Sequence, residues 1–413
     1  MIKKAFIVTF ILTVFLPMQA FGIIVMSHNN NDTNWLRATT PILTRVANGS
    51  LLAVFTNASK EGSKFGGIWG KYSDDGYVWN ERFLIMASTE EYSVAPDSLL
   101  TLNNKTMLFY VRFVRFDSIQ EASVWLTESM DNGISWTNDR RVDSGHFSYT
   151  VGTYQVLTLR NGTLIFPMSW LVRYDRGLVW GAGFLRSDDG GNSWFDIGTI
   201  SDVSGFPIGW TGFDEPCAVE LNDSSLYCLL RSSEKWHMAS RSYDCGLTWT
   251  IPQIVPEMNA VDTTPAIVRV NDSLVVAAWI NRSSKVLRSP LALACSFDDC
   301  KTWNLTRIVE ADRSVNDMSF YVDGERVFLS YRQYDERSVL TNDDAMVVIF
   351  DSVSWGSFVD DYSRTDFNHD HKTDIFDGIV FSYHFNEYNS TYDLNGDLLV
   401  DVFDAMILSQ NWS

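Results

Sequence analysis

Two groups of residues in this chain of 413 have the types and spacing to do chemistry. The first is a doubled acidic register near the C-terminus: Asp366, Asn368, Asp370, Lys372, Asp374 and Asp377, then Asp393, Asn395, Asp397, Leu399, Asp401 and Asp404. In each run, side chains at positions 1, 3, 5, 9 and 12 carry oxygen, and Lys372 or Leu399 offers a backbone carbonyl at position 7. Such a loop wraps Ca²⁺, a hard cation that takes oxygen ligands, so two ions are expected. Each loop leads into an apolar helical pattern, Ile375 to Phe385 and Val402 to Leu408. A solvated acidic tail is the plainer alternative, but it has no reason to keep one register twice.

The second group pairs acids with arginines across short hairpins. With a turn at Asn222 to Ser224, an antiparallel hairpin brings Glu215 beside Arg231 at its far end. Asp97 with Arg112 and Asp317 with Arg332 repeat the arrangement in two other units. Guanidinium groups bind carboxylates with two parallel bonds, and an oxocarbenium-like transition state needs negative charge beside it. The cluster therefore suits an anionic sugar site; salt bridges at strand ends are the alternative.

The elements that must position these residues come in repeats. Six segments read as strand, tight polar turn, strand: 41–55, 97–110, 154–168, 216–231, 265–279 and 318–332. Their turns hold Asn-Gly, Asn-Asn, Asn-Asp or Asp-Gly, which tolerate left-handed backbone. Between them falls a second repeat: Tyr72-x-Asp74-x-Gly76-x-x-Trp79, Ser129-x-Asp131-x-Gly133-x-x-Trp136, Ser187-x-Asp189-x-Gly191-x-x-Trp194, Ser242-x-Asp244-x-Gly246-x-x-Trp249 and Ser296-x-Asp298-x-Cys300-x-x-Trp303. One copy per unit points to structure, with Ser and Asp accepting backbone N–H bonds, Gly taking positive φ and Trp packing the turn. Four strands per unit, repeated radially, predict an all-β, six-bladed propeller with antiparallel blades over residues 23–351. Residues 22–27 are expected to close the ring on the sixth blade.

The flanks complete the organisation. Lys3 and Lys4, an apolar run to Pro17 and small residues near Gly22 predict a signal peptide over 1–22, too short to span a bilayer. No later stretch predicts a transmembrane segment, so an exported protein, secreted or at the cell surface, is expected. Residues 352–365 read as a linker and 366–413 as a small calcium-binding module. The net charge of −19, about half of it after Val359, argues against nucleic acid or an anionic membrane as partner. Eleven Asn-x-Ser/Thr sequons, including Asn48, Asn57, Asn161, Asn271 and Asn304, suit an exported glycoprotein. Of the five cysteines, Cys217 and Cys228 flank one hairpin as a candidate bridge; buried unpaired thiols are the other reading.

These motifs carry two resemblances. The Ser-x-Asp-x-Gly-x-x-Trp repeat resembles the Asp-box of sialidases and other BNR-repeat proteins. The segments 214–221, 229–231 and 288–294 are similar to that family, and the likeness runs from Thr39 to about Gln333. In sialidases three Arg hold the substrate carboxylate, a Tyr–Glu couple supplies the nucleophile and an Asp is acid/base. The resemblance implies that Glu215 stands in the Glu position, Arg231 in that of the second Arg and Arg288 in that of the third. The chain departs from the pattern at Thr39-Thr40-Pro41, where the first Arg is missing and Arg37 lies two residues early. It departs again at Ser314-Val315-Asn316, where Val replaces Tyr, and Glu61 is the nearest substitute for the acid. The C-terminal loops resemble a type I dockerin, which implies a cohesin-like or cell-surface protein partner. His371 and Leu398 replace the usual Gly there, and Ile375-Phe376 and Val402-Phe403 replace a polar pair. The expectation is a secreted glycan-directed protein, a glycoside hydrolase with Glu215 as acid/base or a non-catalytic propeller that binds glycan or protein.

Overall fold

A computed structural model describes residues 23–27, 35–38, 40–59, 65–116, 119–143, 145, 147–150, 155–174, 177–201, 212–233, 235–282, 288–310, 313–334, 344–350, 375–385, 392, 394 and 399–410. The expected leader 1–22 and linker 352–365, with Thr39 and Glu61, lie outside the described residues. So do Asp366, Asn368, Asp370, Lys372, Asp374, Asp393, Asn395 and Asp397.

Six antiparallel sheets form a propeller. In chain order the blades are built from strands within 35–87, 92–141, 147–200, 213–259, 266–310 and 314–350, and Ile23–Ser27 joins the sixth. That first strand pairs with Asp344–Phe350, Ile23 lying opposite Val347, and so closes the ring as the sequence predicts. The inner strand is split in blade one (Trp35–Ala38 and Ile42–Arg45) and in blade three (Phe147–Thr150 and Leu157–Thr158). The other four blades each have one inner strand.

Alternating side chains put apolar residues on both faces of each blade, and every face meets a neighbour. The result is six small cores, one per blade junction, rather than one central core. Leu43, Leu51 and Phe55 of blade one, for example, pack on Phe328 and Val347 of blade six. Ile267, Val275 and Trp279 of blade five pack on Cys217, Tyr227 and Leu229 of blade four.

The turns follow the expected chemistry. Asn103 and Asn104 take φ of +51° and +64° between Leu102 and Lys105, a two-residue turn whose twist matches its strands. Asn48, Asn161 and Asn271 accept the N–H two residues on, so these three sequons also serve as Asx turns. Cys217 and Cys228 do not bridge: all five cysteines are free. Cys217 pairs with Leu229 and Cys228 with Ala218, an offset of one that sends the two thiols to opposite faces and into different cores.

Near the C-terminus are two helices, α1 (Ile375–Ser382) and α2 (Val402–Gln410). The first stops three residues short of the Phe385 expected from its apolar pattern. There the N–H groups of Tyr383 and His384 bond the carbonyls of Val380 and Phe381, an i to i−3 tightening that ends a helix. Phe381, Leu394, Val400 and Leu408 form a small apolar cluster of their own.

Candidate functional site

Each inner strand runs from one mouth of the channel to the other, and the two mouths differ. The inner hairpin turns and the Asp-boxes share one face. In the second box Ser129 Oγ donates to Asp131 at 2.8 Å and accepts the Gly133 N–H at 2.8 Å, while Trp136 Nε1 donates to the Gly133 carbonyl at 3.0 Å. The third and fourth boxes repeat this pattern. The first box is one residue shorter than its sequence suggests: Ser73 and Asp75, not Tyr72 and Asp74, make the equivalent bonds to Gly76 and Tyr77. In the fifth, Cys300 holds the glycine position at φ +58°, and Trp303 donates to Tyr227 of blade four. The Ser135 hydroxyl and N–H and the Ser129 hydroxyl hold the Asp131 carboxyl down to about 2. These acids have stabilising work in their own turns, which accounts for their repetition.

The opposite mouth carries the candidate site. In blades two, four and six the inner strand bulges where an acid stands: between Pro96 and Ser98 around Asp97, between Asp214 and Cys217 around Glu215, and between Asn316 and Met318 around Asp317. Glu215 and Asp317 take φ of +44° and +48°, which costs an ordinary residue about 1–3 kcal/mol and is found where a side chain must be re-aimed.

Glu215 is 5% exposed. Its two oxygens each accept from Arg231 Nη1 at 2.9 Å, and one also accepts from the Thr264 hydroxyl. Its N–H is held by Ser169 Oγ at 2.7 Å. Arg231 reaches Asp262 as well, with Nε at 3.1 Å and Nη2 at 2.7 Å. Burial pushes the Glu215 carboxyl up to about 7, with Arg231 opposing and the charges of Asp214 and Asp317 adding to the rise. Burial likewise raises Asp214. A carboxyl at that value exchanges a proton near neutral pH. On the next strand His237, its ring Nδ1 facing the Leu230 carbonyl, is fully buried and held down to about 3 by that burial, so its ring stays neutral.

Arg288 stands at the entry to its strand, its guanidinium on the Asn316 side chain and its carbonyl accepting the Val315 N–H at 2.7 Å. Thr40 is fully buried, and its hydroxyl donates to the Asp317 carbonyl at 3.1 Å. Val315, in the position where the resemblance calls for Tyr, is fully buried in an apolar cluster.

Two expected pairs do not form. The register sets Arg112 opposite Val94, and its side chain turns to Asp139 and Tyr110 with its guanidinium 3.5 Å from the centre of the Trp125 ring. Asp97 is buried at its bulge and is not the partner of Arg112. Arg332 lies opposite Asn316, and the bulge turns Asp317 out of that register; no ion pair joins the two among the described residues. The structure therefore brings together Glu215, Arg231 and, through its charge, Asp317, while Arg112 is engaged within its own blade by Tyr92, Trp125 and Asp139.

Asp214, Asp262 and Thr264 were not among the expected site residues. Thr264-Pro265 and Thr40-Pro41 stand where Glu215-Pro216 stands, just before an inner hairpin, so the shared X-Pro position was the signal available. Gln155 was equally silent: its Oε1 accepts the Ala218 N–H at 2.8 Å and its Nε2 donates to the Ile267 carbonyl at 3.1 Å. It ties three blades together across the channel. A cavity of about 350 Å³ opens toward the box face, lined by Thr44, Leu100, Thr158, Glu220, Arg269 and Tyr321. The acids at the other mouth do not line it.

In the C-terminal loops, Asp377 and Asp404 are fully buried at the starts of α1 and α2. Asp404 accepts the N–H of Leu394 at 2.7 Å and of Asp401 at 2.8 Å, one on each oxygen. Leu399 and Asp401 are also described, and no group of three acids, His or Cys gathers as a metal site among the described residues.

The solved structures similar to this chain share its propeller. A protein of unknown function from Dyadobacter fermentans matches with a TM-score of 0.63 and 16% identity, over 80% of this chain and 98% of the other. The Trypanosoma rangeli sialidase in complex with sialic acid matches at 0.61 and 14% identity, over 84% of this chain and 60% of the sialidase. A NanB sialidase from Streptococcus pneumoniae matches at 0.63 and 14%, over 81% of this chain and 71% of that one. At such identities the likeness establishes a sialidase-like propeller fold. Residues 49–349 match the BNR repeat-like domain, most of the chain, and the chain belongs to that family.

Proposed function

We propose that this is an exported, glycan-directed propeller whose charged mouth hydrolyses a glycosidic bond with Glu215 as the acid/base. The observation that carries the reading is a buried carboxyl at an inner-strand bulge, gripped by Arg231 and Thr264 and raised to about 7. At neutral pH such a group can give a proton to the leaving oxygen of a glycoside and take one back from water. Asp317 and Asp262 supply negative charge for an oxocarbenium-like transition state.

Thr39 and Val315 favour a second reading, a propeller that binds glycan or protein without turnover. They stand where the family resemblance calls for the first Arg and the nucleophilic Tyr, and Val315 is buried in an apolar cluster. Retaining sialidase chemistry lacks its nucleophile here.

The deciding assay sets the purified full chain against a panel of aryl glycosides, neutral and acidic, beside Glu215→Gln. Turnover reduced at least a hundredfold by the substitution supports the hydrolase; equal binding without turnover in both proteins supports the binding reading.

The C-terminal residues are proposed to hold two Ca²⁺. Asp366, Asn368, Asp370, Lys372, Asp374 and Asp377 form one ligand set, and Asp393, Asn395, Asp397, Leu399, Asp401 and Asp404 the other. Buried, oxygen-only Asp377 and Asp404 fit a hard cation, which would fix the loop to its helix. The module would attach the propeller to a cohesin-like or cell-surface protein. Calorimetry should detect two sites, lost in the double variant Asp366→Ala, Asp393→Ala.

A further inference from the structure

We infer that the charged mouth admits a sugar without a carboxylate, because Asp262 and Glu215 together occupy the guanidinium that an acidic sugar would need. The inference rests on reading this mouth as a sugar site and narrows the class of sugar.

An arginine reads a carboxylate by offering two parallel N–H groups along one edge. Both such edges of Arg231 are already shared with acids. Its Nε–Nη2 edge is taken by Asp262 at 3.1 and 2.7 Å. The end-on edge needs Nη1, which both Glu215 oxygens hold at 2.9 Å. A substrate carboxylate would have to displace one of these acids, and the displaced acid would remain in the same half-buried space.

Two neighbouring guanidiniums are engaged elsewhere. Arg282 is buried, donating to the carbonyls of Val261 at 2.8 Å and Asp262 at 3.3 Å. Arg112 is committed to Asp139. Arg288 is engaged through Nη1 with Asn316, which lies opposite Arg332 in the register. Acids crowd the same space: Asp214 and Asp317 both act on Glu215, already raised to about 7 by burial and by them. A further negative charge would be repelled, whereas hydroxyl groups can donate to carboxylates at no charge penalty. Asp262 is thus a specificity-determining residue, and Arg231 a positioning residue that aims Glu215.

The test is binding of galactose, N-acetylglucosamine, N-acetylneuraminic acid and glucuronic acid to the full chain, by calorimetry or ligand-observed NMR. The wild type should bind at least one neutral sugar tenfold or more tightly than either acid. Asp262→Asn, which keeps the shape and opens the Arg231 edge, should gain tenfold or more for the acids at an unchanged melting temperature. If that variant does not fold, the wild-type ratio alone decides. Acidic sugars bound by the wild type as tightly as neutral ones overturn the inference while leaving the sugar site standing. No sugar of either class bound removes the site itself, and the inference with it.

Discussion

The two mouths of the channel are made by the same strands, yet they obey different rules. On the box face the box aspartates close their own turns: Asp131, Asp189, Asp244 and Asp298 bond hydroxyls and N–H groups within four residues. On the other mouth Thr264 donates to Glu215 from the next blade, the Glu215 N–H donates to Ser169 of the preceding blade, Arg231 grips Glu215 within their shared hairpin, and the backbone takes positive φ at Glu215 and Asp317. Repetition with local closure is what a scaffold needs. Strained and mutually repelling groups lower stability, so their gathering at one end makes that end the candidate for chemistry.

The contrast can be broken from its scaffold side first. Gly76 has φ +87°, and a Cβ there would lie 2.6 Å from the Phe328 ring and 3.0 Å from Ile349, both in blade six. Gly76→Ala therefore combines backbone strain with overpacking at the junction that closes the ring, and should cost about 3–4 kcal/mol. Denaturant unfolding measures it; a loss under about 1 kcal/mol would show that the boxes do not couple blades.

The functional side predicts a pH signature. Glu215 is raised from an ordinary 4.5 to about 7, so the folded chain holds this proton more tightly than the unfolded chain does. The resulting stability is complete below about 4.5 and is lost as pH rises through about 7, a change of about 3 kcal/mol. His237, lowered to about 3 by burial, works in the opposite direction over the acid range, so Glu215→Gln is the needed reference. Wild type minus variant should fall across that window. A flat difference would mean the acids at this mouth are solvated like those in the boxes.

Smaller effects sharpen the comparison. Ser187 is fully buried, and its hydroxyl accepts the Gly191 N–H at 2.8 Å. Ser187→Ala leaves that donor unpaired and should cost about 2 kcal/mol by thermal unfolding. Arg186 and Asp188 form an outward pair at 2.9 Å, and Arg186→Ala should cost less than about 1 kcal/mol.

How much of this could be read from the residues divides along the same line. Six hairpins, five boxes and the closing strand were legible because turn chemistry is local and repeats. Even there Tyr72 and Asp74 misled, since a neighbouring Ser73 and Asp75 satisfy the same turn with one residue fewer. At the charged mouth Glu215 and Arg231 were legible because one hairpin carries both. Asp97 with Arg112 and Asp317 with Arg332 followed the same logic and failed, because a bulge changes which side chain faces which and no residue type announces a bulge. Asp262 and Gln155 act across blades, and partners far apart in sequence leave no spacing to read.

Ile23–Ser27 completes a sheet whose other strands lie beyond residue 313. Until the last blade has been made, that opening strand has nothing to pair with, and until it arrives Asp344–Phe350 presents a bare edge to any passing chain. Joining them means closing a loop of some three hundred residues, a slow step for a sheet protein. Folding of the ring is therefore finished by its oldest segment, and a cut just after Ser27 should leave a propeller that sticks to copies of itself.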